Sequence, residues 1–147
     1  MITTTLNRIR EHSPCASGWI KLLRGLGKTE ADDVPLPYAD IVRINGLDDA
    51  LWCCRAEPER AREWRLYAVW CARRVQHLRA DPRSIAALDV AERYAQGEAT
   101  DAELTAAWAA ARAAAWAAAG DAAWAAARAA TRDAQRVEFL RVVGEQA

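Results

Sequence analysis

Apolar residues recur at steps of three and four along most of the chain, and Gly, Pro and polar clusters divide that pattern into helices. Leu6–Glu11 reads as a short helix. Ser13 and Pro14 follow as an N-cap and a first helical residue. Trp19, Leu22, Leu23 and Leu26 then share one face, and Gly25 and Gly27 end that helix. Residues 28–37 are polar and carry Pro35 and Pro37, which predicts a loop. A helix over 38–44 stops at Asn45-Gly46. The next starts at Asp48 or the residue before it and carries Ala50, Leu51, Trp52 and Cys54 inward.

Glu57-Pro58 opens a longer helix, predicted to run to about Arg79. Trp64, Ala68, Cys71, Val75 and Leu78 form its apolar stripe, and Leu66, Val69, Trp70 and His77 broaden it. Arg62, Arg65, Arg73 and Gln76 lie on the opposite edge. A stripe this wide marks a central element that touches neighbours on more than one side. Asp81-Pro82 caps and starts a helix holding Ile85, Leu88, Val90 or Ala91, and Tyr94, which ends at Gly97. Thr100 and Glu103 fit the capping box, the sharpest local signal in the chain. No period-two strand pattern competes.

The capping box opens an alanine-rich stretch in which Trp108, Arg112, Trp116, Gly120, Trp124, Arg128 and Arg132 fall every four residues. Alanine has no rotamer freedom to lose and is the best helix former. Unbroken, this helix spans about 60 Å, so a break at Gly120-Asp121 into a hairpin is the favoured reading. Indoles eight residues apart drift by about 80° around a helix. At least one ring therefore faces solvent or a partner unless the break re-aims it. Arg112 lies four residues from Trp108 and Trp116, and Arg128 four from Trp124, within reach for guanidinium–indole stacking.

The fold class expected is all-α: a multi-helix bundle or stacked helical pairs in one domain over 1–147. Residues 1–99 would form a mixed helical core and 100–147 an alanine-rich hairpin or long helix. Seven tryptophans supply bulk in a chain with a single phenylalanine. Formal charge sums to zero, against a nucleic-acid or membrane-surface role. No signal-peptide pattern or membrane span is expected, so a cytoplasmic setting with reduced thiols follows. High Arg with high Ala most simply reflects a GC-rich genome.

Catalytic chemistry is not legible. Cys53, Cys54, Cys71 and His77 cluster in sequence but lack metal-ligand spacing. Ser13, Ser17 and Ser84 lack a nucleophile-elbow setting, and His12 and His77 are the only imidazoles. His77 reads as a structural histidine beside the apolar stripe. The run Gly25-Leu26-Gly27-Lys28-Thr29 lacks the first glycine and the strand of a phosphate loop. No catalytic residue, cofactor or metal is expected. Residues 30–49 are acidic, whereas Arg55, Arg60, Arg62, Arg65, Arg73, Arg74 and Arg79 make the following helix basic. Internal pairing between neighbouring elements explains this most simply. The alternative is an acidic face aimed at a basic partner.

The segments IREHSPCASGWIKLLRGLGKTEADD (9–33), NGLDDALWCCRA (45–56), YAVWCARRVQHLRADPRSIAALDVAERYAQGEATDAEL (67–104) and AAWAAARAAAWAAAGDAAWAAARAA (106–130) together resemble a family of small alanine-rich helical proteins of bacteria and their phages, the immunity proteins. The block 47–103 carries the likeness; the tail is of low complexity. The resemblance transfers no catalytic residues. It implies a non-enzymatic cytoplasmic antidote that binds a cognate toxin. A phage counter-defence protein that binds a host nuclease complex, of the anti-CRISPR kind, and a self-assembling helical protein stand as alternatives; an enzyme using His77 or the cysteines ranks below them. The expected partner is a protein (toxin or host defence protein), with a homodimer as a further option and no membrane or direct nucleic-acid contact. Candidate contact residues are Asp32, Asp33, Asp48, Asp49, Trp116 and Trp124.

Overall fold

A computed structural model describes residues 1–78, 81–117 and 123–144, with no side-chain description at 78, 113–117 and 123–130. The protein is all-α. Its helices are α1 (Leu6–Glu11), α2 (Ala16–Gly25), α3 (Tyr38–Asn45), α4 (Leu47–Cys53), α5 (Ala61–Arg74), α6 (Pro82–Gln96), α7 (Asp101–Ala117) and α8 (Ala123–Val143). Two antiparallel two-residue strands, β1 (Thr3–Thr4) and β2 (Leu36–Pro37), pair Thr3 with Pro37 and Thr4 with Leu36. They are too short for alternation to show in sequence. The expected break at Gly120-Asp121 lies outside the described residues.

The chain divides into two compact units. The first comprises Met1–Ala61 and Arg136–Ala147. Its core is built from large side chains: Leu6, Ile9, Tyr38, Ile41, Phe139 and Val143 are all below 2 % exposed. Tyr38 and Phe139 meet edge to face with centroids 6.1 Å apart, and the Tyr38 hydroxyl donates to the Cys53 carbonyl at 2.9 Å. Gly25 bears no side chain because Ile44 of α3 occupies that space. Glu57 is buried, with Arg8 Nη1 at 2.6 Å, and burial pushes its carboxyl above the ordinary range.

The second unit, Arg62–Gln135, is organised around α6, which lies against α7. Ala87, Ala91 and Ala95 recur every four residues on α6 and are buried, as are Tyr67 and Val69 of α5. Arg73 of α5 pairs with Asp89 and Glu92 of α6 at 2.9 and 2.5 Å.

Helix ends follow the local sequence closely. Asp81 accepts from the Arg83 N–H with Pro82 in the first helical position. Gly97 takes φ +82, with the Glu98 N–H donating to the Arg93 carbonyl, a Schellman motif. The Thr100 N–H donates to Glu103 Oε2 at 2.7 Å and the Glu103 N–H to Thr100 Oγ1 at 3.2 Å, completing the capping box.

Three expectations are corrected. Ser13 is not an N-cap: it takes φ +54 and its N–H donates to the Arg10 carbonyl, so it closes α1, and α2 starts later behind Cys15. On α4 it is Cys53 that is buried; Cys54 is half-buried, because the chain leaves the α-helix there for a 3-10 turn. The long helix is also shorter than expected. Pro58–Arg60 is a 3-10 turn, and α5 stops at Arg74 because the Val75 N–H tightens onto the Ala72 carbonyl ahead of the 3-10 turn Gln76–Leu78. Its expected end near Arg79 lies outside the described residues. The stripe on this helix is correspondingly open: Ala68 is exposed, Trp64, Cys71 and Val75 are half-buried, and His77 is exposed rather than packed beside the stripe.

Candidate functional site

An apolar groove of about 470 Å³ runs along the second unit. Ala68, Ala72 and Val75 of α5, Ile85, Leu88 and Ala91 of α6, and Trp108 and Ala111 of α7 line it, with Arg65, Gln76 and Arg112 among its polar lining. The sequence explains why it is open. Alanines on α6 and α7 let two helices come close, while alanines on the facing side of α5 are too short to fill what remains. Its size lies within the range of natural ligand clefts, about 300–1,000 Å³.

Trp108 is 58 % exposed, unusual for a large aromatic side chain. Indole rings bury on the order of 200 Å² when covered. Covering the exposed part of this one would contribute roughly 3 kcal/mol at about 25 cal/mol per Å². The Arg65 guanidinium lies 4.4 Å above the Tyr94 ring centroid, and the Tyr94 hydroxyl donates to Asp101. The stack on Tyr94 thereby holds Arg65, which lines the groove. Arg112 is exposed. Its expected stack on Trp108 is not among the guanidinium–aromatic stacks of the described residues, which are Arg55 on Trp52, Arg65 on Tyr94 and Arg74 on Trp70. Arg128, Trp116 and Trp124 have side chains outside the described residues.

Among the described residues the groove lining is mainly apolar, with Arg65, Gln76, Ser84 and Arg112 as its polar side chains, which suits apolar and charge-complementary contact. Among the described residues no three His, Cys, Asp or Glu side chains are placed to hold a metal ion. Burial pushes the thiols of Cys53 and Cys54 up to about 12 and keeps them protonated. No helix among the described residues is long and apolar enough to cross a membrane.

The acidic candidates lie in the first unit and differ in availability. Asp32 is half-buried and bonded to Lys28 at 2.5 Å, and this contact lowers its pKa. Asp33 is exposed and accepts from Thr5 at 3.5 Å. Asp48 is exposed on the first turn of α4, whereas the neighbouring Asp49 is half-buried and accepts from Asn45 Nδ2 at 2.7 Å. Among the described residues Lys28 pairs with Asp32 and Arg43 with Asp40, each within four residues along the chain. The Arg65–Tyr94 stack and the Asn45–Asp49 bond were not picked out from sequence. The first joins two helices, and the second crosses the break at Gly46 between α3 and α4, so neither has the i,i+4 signal of a single helix.

No protein-family model, curated protein or solved structure matches the chain.

Proposed function

We propose that this chain is a non-enzymatic protein-binding domain acting as a cytoplasmic immunity protein, which binds and neutralises a cognate bacterial toxin. The observation that carries this reading is Trp108, a largely exposed indole at the edge of an apolar groove that Arg112 also lines. Tryptophan and arginine dominate binding hot spots, and a few such residues carry most of an interface's affinity. The resemblance over 47–103 supports the antidote role. The partner element that fits is one amphipathic helix, its apolar face on the alanine walls and a carboxylate directed to Arg112.

The test is co-production of the chain with the products of the reading frames that flank its gene, scored by growth for toxicity and its relief, followed by calorimetry of the purified pair. Protection is expected, and Trp108→Ala is expected to weaken the complex by about thirtyfold or more, as for a hot-spot truncation. Toxicity unchanged by the chain overturns the antidote role. Full affinity in Trp108→Ala overturns the groove as the contact surface.

A further inference from the structure

A second cavity, of about 180 Å³, opens in the first unit between α2 and α4. It is independent of the groove and of the toxin-binding reading. It exceeds by far the ~15 Å³ of probe space that admits one water. Its floor reaches core residues Ile9, Leu22 and Ile41, and Trp19 and Trp52 contribute half-buried indoles.

Three polar side chains meet at this cavity. Gly18 sits where a Cβ would come within 2.9 Å of Asp49 Oδ2 and 3.1 Å of Cys15 Sγ, so the carboxylate and the thiol converge on one point. Asn45 closes the group. Its Nδ2 donates to the Gly18 carbonyl at 2.8 Å and to Asp49 Oδ2 at 2.7 Å. Both partners are acceptors, which fixes the amide orientation. Asn45 Oδ1 is therefore the other end of the amide, and it is buried with no donor.

We propose that this cavity binds an organic cation: a guanidinium or ammonium group on a short apolar neck. Among the described residues the one charged group that lines the cavity, the Asp49 carboxylate, is an acceptor with lone pairs beyond the one that Asn45 Nδ2 takes. A guanidinium or ammonium offers only donors and carries the charge that a carboxylate favours. The apolar floor takes the neck, and an indole face attracts the cation. An anion meets Asp49, and a hydrocarbon leaves that carboxylate without a counter-charge. The neighbouring cations are already engaged and do not line the cavity. Lys21 donates to the Asn45 carbonyl at 3.5 Å. Arg55 donates to the Trp52 carbonyl at 2.9 Å and stacks on that ring at 4.2 Å. Trp19 is thus the ring left for a bound cation.

Calorimetry of the full chain against propylguanidinium, its neutral analogue propylurea, and an end-capped arginine peptide tests the proposal. Propylurea is expected to bind at least about tenfold more weakly than propylguanidinium, and Asp49→Asn to weaken the cation by about tenfold or more, the effect of losing a charged hydrogen bond. Gly18→Ala, whose Cβ presses on Asp49 Oδ2 and displaces the carboxylate, is expected to abolish binding while circular dichroism is retained. Should Gly18→Ala fail to fold, the Asp49→Asn and propylurea arms decide. Equal binding of propylurea, full affinity in Asp49→Asn, or no heat with either the cation or the peptide overturns the proposal. Comparable affinity for propylguanidinium and the peptide identifies a free small cation as the ligand. Peptide affinity tenfold or more above that of the free cation identifies an arginine side chain of a partner protein.

Discussion

The two units bury different kinds of side chain. The first excludes water with Tyr38, Phe139, Leu6, Ile9, Ile41 and Val143, each almost wholly enclosed. The second buries Ala87, Ala91 and Ala95 on α6 beside Tyr67 and Val69 of α5, and leaves Trp108 of α7 largely in solvent. Large side chains interlock and make a core hard to deform. Alanine brings helix backbones together but removes little apolar area from water per residue. The alanine-built unit therefore has an open apolar groove and an unburied indole, both suited to contact with another molecule. The first unit's core holds several large, fully buried side chains, which makes the contrast testable.

The largest effect is expected from Phe139→Ala. This ring is fully buried against Tyr38, and such truncations cost about 3–5 kcal/mol. Denaturant unfolding measures the loss, and hydrogen exchange locates it. Amides of α1 and α3 are expected to exchange faster than those of α6 and α7. An equal rise in both units would break the comparison.

Alkaline pH should also act on the first unit. The folded Cys53 thiol sits at about 12, against 9.0 for its ordinary value, because burial disfavours the thiolate and Asp49 adds repulsion. A raised folded pKa gives stability that is fully present below pH 9 and lost as pH climbs toward 12. Each pKa unit corresponds to about 1.4 kcal/mol, so the loss across this window amounts to a few kcal/mol. Cys53→Ala is expected to flatten the fall in unfolding free energy between those pH values. An unchanged slope would show that the thiol does not couple to folding.

What was legible in the sequence was local. Asp81-Pro82, Gly97 and the Thr100–Glu103 box act within a few residues, so their identity alone sets the helix ends. Asn45-Gly46 likewise ends α3. Ser13-Pro14 misled because two local motifs compete there, and closing α1 prevails. The exposure of Ala68 and His77 was not legible, since it depends on what neighbouring helices leave uncovered. The candidate site divides the same way. The four-residue period of the tail allowed an exposed indole only as one of two outcomes and pointed to Trp116 and Trp124, whereas the exposed ring described is Trp108. The groove needs three helices and left no one-dimensional trace. Net acidity singled out Asp32 and Asp49, yet Lys28 and Asn45 already bond to them. Charge counting sees a carboxylate and not its partner.

The smallest expected effect probes the alanine face of α6 from two positions. Ala95 is buried, and Arg62 Nε donates to its carbonyl at 3.1 Å; it does not line the groove. A leucine there has no free volume to enter, and overpacking costs about 1–3 kcal/mol. Ala91 is equally buried but borders the groove, so Ala91→Leu can direct its added carbons into open space. Its cost is expected to fall below that of Ala95→Leu, by denaturant midpoint at unchanged slope. The same substitution narrows the groove and should weaken any partner seated beside Trp108. If Ala91→Leu destabilises as much as Ala95→Leu, the groove is not free volume in solution. The difference between the two cores would then be one of side-chain size alone.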